Sequence, residues 1–266
     1  MKTVALYQRQ ADPQSQPYVL QLEEALTRQG VTVCSLGDGA LPPNLDLVIS
    51  IGGDGTLLGA THHIGGAGIP ILGFNVGHLG FLTTAGRDDV QRVADDLVSD
   101  RFRVEERTLL DVCCSGSTTH AYALNEAYVQ RGEQPTLLHT SLYVDEEYVA
   151  TYPADGLIVA TPTGSTAYSL GCGGPILTPT SGCFVITPIA AHTLTLRPII
   201  VPDNARLRLT TASRQPRFSL GVDSQSQSLP VGTEIEVRRA PFTIKLVRLL
   251  DQSFFTAMRE KLSWGK

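Results

Sequence analysis

Leu47-Val48-Ile49-Ser50-Ile51-Gly52-Gly53-Asp54-Gly55-Thr56-Leu57-Leu58-Gly59-Ala60 decides how this chain is read. Its first five residues form an apolar run of strand length, and the four after Thr56 can open a helix. Between them three glycines surround one carboxylate, so the backbone can turn sharply and lie close to a ligand. The free N–H groups of such a turn and of the helix start favour phosphate. Asp54 has two readings at this point. It is the N-cap of the helix, a position that Asp favours, or it is a chemical group facing an anionic ligand.

Upstream, residues 4–7 read as a strand. Residues 18–29 place Val19, Leu22 and Leu26 at helical spacing, with Gly30 set to end the helix. Residues 31–36 are a second strand, and the turn-rich 37–44 leads into 45–51. Downstream, a helix is expected over 56–64 and a strand over 69–74. This rhythm implies an open, mostly parallel α/β sheet. Ligands of such sheets bind beyond the carboxyl ends of the strands, where Asp54 falls. Residues 88–99 form an amphipathic helix, with Asp88 and Asp89 in the first turn, where acids complement the dipole.

Past Val104 the character changes. Short β-like runs at 108–114, 120–130, 137–144, 156–161, 184–187, 206–211, 217–222 and 234–238 alternate with turns. A strand at 242–249 and a short helix at 253–262 follow. The expected fold is an α/β N-terminal domain followed by a β-rich C-terminal domain, without internal repeats.

The totals narrow the function. The 266 residues are 42% hydrophobic and 18% charged, ordinary for a globular chain with one large core or two modest ones. A formal charge of −5 argues against a nucleic-acid partner. No apolar run approaches the roughly 20 residues of a membrane span, so no membrane partner is expected. Gln8-Arg9-Gln10 interrupt the apolar start too early for a signal peptide. Cys34, Cys113, Cys114, Cys172 and Cys183 form no C-x-x-C pair and suit a reducing cytoplasm, where cysteine behaves as a small buried hydrophobe. His62 and His63 are adjacent and would face different sides of a helix, so no metal site made by protein side chains is expected.

Several phosphate and catalytic signatures are missing: G-x-x-x-x-G-K-[ST], G-x-G-x-x-G and G-x-S-x-G. Two other stretches stand out. One is Asn125-Glu126, a loop cap on its own terms. The other is Asp155-Gly156-Leu157-Ile158-Val159-Ala160-Thr161-Pro162-Thr163-Gly164-Ser165-Thr166-Ala167-Tyr168, running on to Gly173-Gly174-Pro175. Its hydroxyls and N–H groups can line a polar ligand, and equally they can be the residues of a turn-rich loop.

Taken together these stretches resemble the NAD kinase family. The matches are Gly52-Gly53-Asp54-Gly55-Thr56, Gly73-Phe74-Asn75-Val76-Gly77-His78-Leu79-Gly80-Phe81-Leu82-Thr83, Asn125-Glu126, the run from Asp155 to Pro175, and Arg197-Pro198-Ile199. The Gly-Gly-Asp-Gly-Thr turn alone is shared with lipid kinases and 6-phosphofructokinase-like enzymes, and the 161–168 block is the most specific part. Two stretches depart from the family pattern. Ala191-His192-Thr193 stands where Pro-His-Ser is common, and Asp223-Ser224-Gln225 where Asp-Gly-Gln is frequent.

The resemblance implies an α/β domain over 1–104, with 248–266 returning to it, and a β-rich NAD-binding domain over 105–247. It implies transfer of the γ-phosphoryl group of ATP to the 2′-hydroxyl of the adenosine ribose of NAD, with Mg²⁺ accompanying ATP. The nucleotide site lies between the domains in this family, and a dimer or tetramer completes it. By the same resemblance Asp54 takes the hydroxyl proton, and the backbone of Gly52, Gly53 and Gly55 lets phosphates approach. Asn125 and Glu126 hold the adenosine part. Thr163, Thr166, Ala167 and Tyr168 line the dinucleotide, Asp155 lies near the nicotinamide end, and Phe74 walls the pocket.

Two rivals remain in view. A lipid kinase would carry its Asn-Glu pair within the segment of the glycine turn, whereas here Leu57-Leu58 follow and the pair comes far downstream. A non-catalytic dinucleotide-binding regulator would need the pocket without Asp54.

Overall fold

The computed structural model describes residues 1–265 apart from 10–12, 38, 78, 79 and 135. His78 and Leu79 of the quoted motif, and Asp38 of the first turn-rich stretch, therefore lie outside the described residues. The chain divides into two units, Met1–Arg107 with Thr243–Lys266, and Thr108–Phe242.

In chain order the elements are β1 (Thr3–Tyr7), α1 (Gln16–Arg28), β2 (Thr32–Ser35), β3 (Leu47–Ile51), α2 (Asp54–Ile64), β4 (Ile71–Phe74), α3 (Val90–Val98) and β5 (Phe102–Cys114). They continue as β6 (His120–Ala123), β7 (Glu126–Arg131), β8 (Leu138–Val144), β9 (Glu147–Ala154), β10 (Gly156–Ala160) and α4 (Tyr168–Gly171). The rest are β11 (Cys183–Ile189), β12 (Ile199–Pro202), β13 (Leu207–Ala212), β14 (Arg217–Val222), β15 (Gln225–Pro230), β16 (Ile235–Leu249) and α5 (Phe254–Leu262).

The first unit is built on parallel strands in the order β2-β1-β3-β4, with β16 beside β4 through Leu246 and Ile71. Every residue of β3 and β4 is buried, as expected for parallel strands covered on both faces. Leu22 and Leu26 of α1 and Val93 and Leu97 of α3 pack on Ile49, Ile51, Leu72 and Phe74. Gly73 points to the opposite face, where Leu57 of α2 lies against it. α1 starts with a proline in its first turn and stops before Gly30, whose φ is 81°. The strand order reverses between β2-β1 and β3-β4, so the carboxyl ends of β1 and β3 border a switch point.

The second unit is a sandwich. One sheet runs β12-β11-β10-β7-β14-β15, entirely antiparallel in its pairs. Facing it are β8 and β9, with β13 paired to β8 and to the first residues of β16, and β5 paired to β6. Leu157 and Val159 of β10, Ala127 and Val129 of β7 and Phe184 of β11 meet Leu142, Tyr152 and Leu209 from the other sheet in one apolar core. The alternate residues of β10, Ile158 and Ala160, face outward and are covered by Leu177. β10 is thus buried on both faces, which explains its unbroken apolar run.

Three expectations change. The 120–130 run breaks at Leu124-Asn125 into β6 and β7, because the Asp223 carboxylate takes the N–H groups there. The runs at 234–238 and 242–249 are one strand, β16. Its Pro241 falls between the stretch paired with β13 and the residue paired with β4. Strands β9, β12 and β15 were not expected. Four of the six residues of β15 are Gln or Ser, and only backbone pairing to β14 makes it a strand.

Candidate active site

In the first unit the helix after the glycine turn begins at Asp54 itself. Its N-cap is Gly53, and no side chain caps it. The cap reading of Asp54 is therefore replaced. The carboxylate reaches across to the 81–83 turn, where Oδ2 accepts the Phe81 N–H at 2.9 Å. Oδ1 accepts those of Leu82 and Thr83 at 3.2 and 3.3 Å. Three consecutive N–H groups converging on one carboxylate form an anion-binding nest. Oδ2 accepts a single hydrogen bond and so keeps lone-pair capacity for a hydroxyl proton.

The nest is itself held. Gly80 N–H donates to Thr83 Oγ1 at 2.7 Å, Thr84 Oγ1 to Val247 O at 3.4 Å, and Arg248 Nη2 to Phe81 O at 2.9 Å. Arg248 is buried, and burial together with neighbouring Arg107 pulls its guanidinium down to about 10. Glu105 accepts from both arginines and offsets part of that penalty. Gly80 is needed for space. A Cβ there would sit 1.7 Å from Asp54 Oδ1.

A cavity of about 400 Å³ opens past β1 and β3, lined by Arg9, Ser15, Thr56 and the two glycines before Asp54, Gly52 and Gly53, while the Asp54 side chain itself does not line it. Gly52, at φ 150°, leaves no room for a Cβ against Thr56, whereas Gly53 and Gly55 face open space. Phe74 is not a wall of this cavity. It is fully buried in the core with its ring against Tyr18, and a side chain without exposed surface presents nothing to a ligand.

The second unit gathers the other expected residues on the outer face of its six-stranded sheet. Along β7, Glu126, Tyr128 and Gln130 share that face, opposite the core residues Ala127 and Val129. Glu126 is 7% exposed, and its Oε2 has no hydrogen-bond partner. Burial and neighbouring Asp223 raise its carboxyl to about 7, while the Tyr168 backbone N–H lowers it. The Tyr168 ring stands edge-on to Tyr128 at 5.5 Å. Its phenol is raised by burial, then by Cys172, Tyr128 and Asp155, with a hydrogen bond to Gln130 opposing. Asp155 itself pairs with Arg131 Nε at 2.7 Å.

Asn125 is placed by its backbone. Its N–H donates to Asp223 Oδ1 at 2.9 Å, and its carbonyl accepts the Thr161 N–H at 2.9 Å. Gly164 lies so close that a Cβ would be 2.1 Å from that carbonyl oxygen. The hydroxyls of the 161–168 block are mostly spent within the loop: Thr161 on Leu124 O, Ser165 on Pro162 O, Thr166 on Thr163 O. Thr163 is buried, whereas Thr166 and Ala167 are half-buried and Tyr168 is exposed. The first half of the block is structural, and its second half is presented outward.

Sequence reasoning missed Gly80, Arg248, Tyr128, Gln130, Arg131 and the positioning role of Asp223. Only the alternation of Glu126, Tyr128 and Gln130 carried a local signal. Among the described residues no group of three His, Cys, Asp or Glu side chains is placed to hold a metal ion.

Models of the ATP-NAD kinase N-terminal and C-terminal domains match residues 10–102 and 124–249. An NAD kinase of Porphyromonas gingivalis is 42% identical over 233 residues, covering 88% of this chain and 81% of that one. The chain belongs to the NAD kinase family. A Flavobacterium psychrophilum NAD kinase is 38% identical over 85% of this chain and 78% of its own. Among solved structures, yeast NADH kinase complexed with NADH superposes with a TM-score of 0.89 at 27% identity, covering 100% of this chain and 89% of that one. An Archaeoglobus fulgidus NAD kinase in complex with ATP gives 0.80 at 28% identity, covering 99% of each chain. The family reaction, phosphorylation of NAD by ATP to give NADP and ADP, is this chain's reaction.

The two departures from the NAD kinase pattern have structural roles. Asp223, at φ 49°, opens the two-residue loop between β14 and β15 and holds the N–H groups of residues 124–126. His192 donates its N–H to Pro153 O at 2.9 Å, and Thr193 Oγ1 meets Thr195 Oγ1 at 2.9 Å.

Proposed function

We propose that Asp54 is the catalytic carboxylate of this NAD kinase and that the Glu126 face binds the dinucleotide. The observation that carries the first assignment is the nest. It fixes both oxygens of a carboxylate that follows the glycine turn at the switch point and leaves Oδ2 one acceptor position. Such a group takes the proton of the ribose 2′-hydroxyl as that oxygen attacks the γ-phosphorus. The cavity, with the backbone of Gly52 and Gly53 and the Arg9 guanidinium, suits phosphate oxygens.

For the dinucleotide, the unpartnered Glu126 oxygen suits a ribose hydroxyl, and Asn125 lies beside it. Thr166, Ala167 and the exposed ring of Tyr168 offer the remaining surface, Thr163 supports them from within the loop, and Asp155 stands at its far side with Arg131. Mg²⁺ is proposed to accompany ATP, since it is commonly bound through substrate phosphates together with one or two carboxylates. When bound it neutralises charge on the triphosphate.

The domain limits 1–104 with 248–266, and 105–247, are proposed as the catalytic and NAD-binding parts. A cytoplasmic location is proposed from five cysteines without a disulfide, together with the lack of any described helix able to cross a membrane. A homo-oligomer, dimer or tetramer, is proposed from exposed Leu194 and Ile200 around β12, and light scattering under assay conditions checks it.

The extended dinucleotide face predicts that free adenosine is a poor acceptor, because binding energy from the nicotinamide half supports the transfer. Initial rates of phosphorylation measured with adenosine and with NAD decide this. Equal kcat/KM for the two would remove the Tyr168 and Asp155 contacts from the account.

A further inference from the structure

Lys261, in the last turn of α5, returns to the Asp54 centre from the far end of the chain. Its Nζ is 4.0 Å from Asp54 Oδ2 and 4.9 Å from the centre of the Phe81 ring. Phe81 is the residue whose N–H Oδ2 accepts, and its ring also meets Phe254 at the start of α5, 6.2 Å between centroids. Two aromatic contacts thus register the helix against the nest.

The ammonium faces the carboxylate without bonding to it, since 4.0 Å exceeds hydrogen-bond length. Among the described residues none of its three donors has a hydrogen-bond partner, and the side chain stays 30% exposed. Two neighbouring cations, Arg248 and Arg107, are committed elsewhere. Arg248 is buried on Phe81 O and Glu105, and Arg107 on Glu105.

Phosphoryl transfer spreads negative charge over the nonbridging oxygens of the moving group, and stabilising that charge is most of what a protein can contribute. In this family member no lysine follows the glycine turn, as it does in P-loop enzymes, where Thr56-Leu57 stand. A positive charge with free donors beside the proton-accepting oxygen fits that need.

We propose that Lys261 is a catalytic cation of the transfer, meeting the nonbridging oxygens of the γ-phosphoryl group. The ribose 2′-oxygen bonds to the γ-phosphorus, the bond from that phosphorus to the β–γ bridging oxygen breaks, and ADP leaves with those electrons. The 2′-hydroxyl proton passes to Asp54 Oδ2, and Lys261 keeps its own protons throughout. This inference rests on Asp54 as the centre of transfer.

The bland alternative is that Lys261 only covers the Phe81 ring with its aliphatic stem. Lys261→Met keeps most of that stem and removes the charge, and Lys261→Arg restores a charge. The test measures kcat, KM for ATP, NAD affinity by equilibrium dialysis and melting temperature on both variants, with Asp54→Asn assayed beside them. Lys261→Met should lose about 10²-fold in kcat, the order seen when one transition-state donor is removed. NAD affinity and melting temperature should stay unchanged, and Lys261→Arg should recover part of the rate. A folded Lys261→Met within about threefold of wild-type kcat overturns the proposal, as does an equal loss in both variants with a matching fall in melting temperature. If Asp54→Asn loses its rate while Lys261→Met keeps it, this inference fails and the Asp54 assignment stands. If Asp54→Asn keeps its rate, the Asp54 assignment fails and this inference with it.

Discussion

Asp54 in the first unit and Asp223 in the second use the same device for different ends. Each carboxylate takes three consecutive backbone N–H groups from a distant segment, 81–83 for Asp54 and 124–126 for Asp223. Asp54 opens a helix beside a cavity and keeps an acceptor position on Oδ2, so the nest positions the carboxylate. Asp223 sits in a hairpin turn, and what it positions is the backbone of Asn125 and Glu126. Its negative charge also raises the Glu126 carboxyl. One arrangement fixes the carboxylate proposed to react, and the other fixes the surface proposed to bind the dinucleotide. The direction of the benefit is set by which partner faces the ligand.

The largest expected effect that separates the two comes from Gly80→Ala. The new Cβ has no room beside Asp54 Oδ1, so the carboxylate must leave its nest while remaining in the chain. Misplacing a reacting group by about 1 Å is expected to lower kcat about 10²-fold, with NAD affinity retained. Asp223→Asn should do the reverse. Its amide sets N–H against N–H at residues 124–126, which weakens NAD binding about tenfold and spares kcat at saturating NAD. Steady-state kinetics on the two variants compare them directly. The same pattern of loss in both would erase the distinction.

A smaller effect follows from Glu126. Its folded-state value of about 7 lies above the ordinary 4.5, so between those pH values the native state holds a proton that the unfolded chain has lost. Stability contributed by this group is greatest below 4.5, falls as pH rises to about 7 and levels off above. Binding runs the other way, because only the ionised form is an acceptor at both oxygens. KM for NAD should rise as pH falls from 8 to 6, by less than about tenfold, following the ionised fraction. Glu126→Gln should bind NAD more weakly and flatten both the pH profile of KM and the pH dependence of denaturation midpoints. A wild-type KM unchanged over that range would remove Glu126 from the binding surface.

Most of the sheet of the first unit was legible because β1, β3 and β4 are buried almost throughout and therefore read as apolar runs. The edge strand β15 was not, since Gln225, Ser226, Gln227 and Ser228 are exposed and carry no apolar alternation. The proposed site reads in the sequence as a set of motifs, but how those motifs are held does not. Local rules make Asp54 a cap, yet its partners lie 27 to 29 residues downstream. Asp223 reaches Asn125 across 98 residues, and nothing local marks either pairing. Phe74, within a glycine-rich motif, looked like a pocket wall because the motif does not show that β4 is covered on both faces. The hydroxyls of Thr161 and Ser165 looked available, and the loop uses them to fix itself.

The most direct test of the account is the maximal rate of Asp54→Asn. Asn keeps one acceptor oxygen but turns an amide N–H toward the nest, so a loss of about 1–3 kcal/mol in stability is expected. Single-turnover rates with Mg²⁺-ATP and saturating NAD, taken well below the melting temperature of the variant, separate chemistry from folding. The account predicts a fall of about 10²–10⁴ in that rate, with NAD affinity close to wild type. A folded Asp54→Asn that turns over near the wild-type rate would contradict it, leaving Asp54 as an anchor for the 81–83 turn and nothing more.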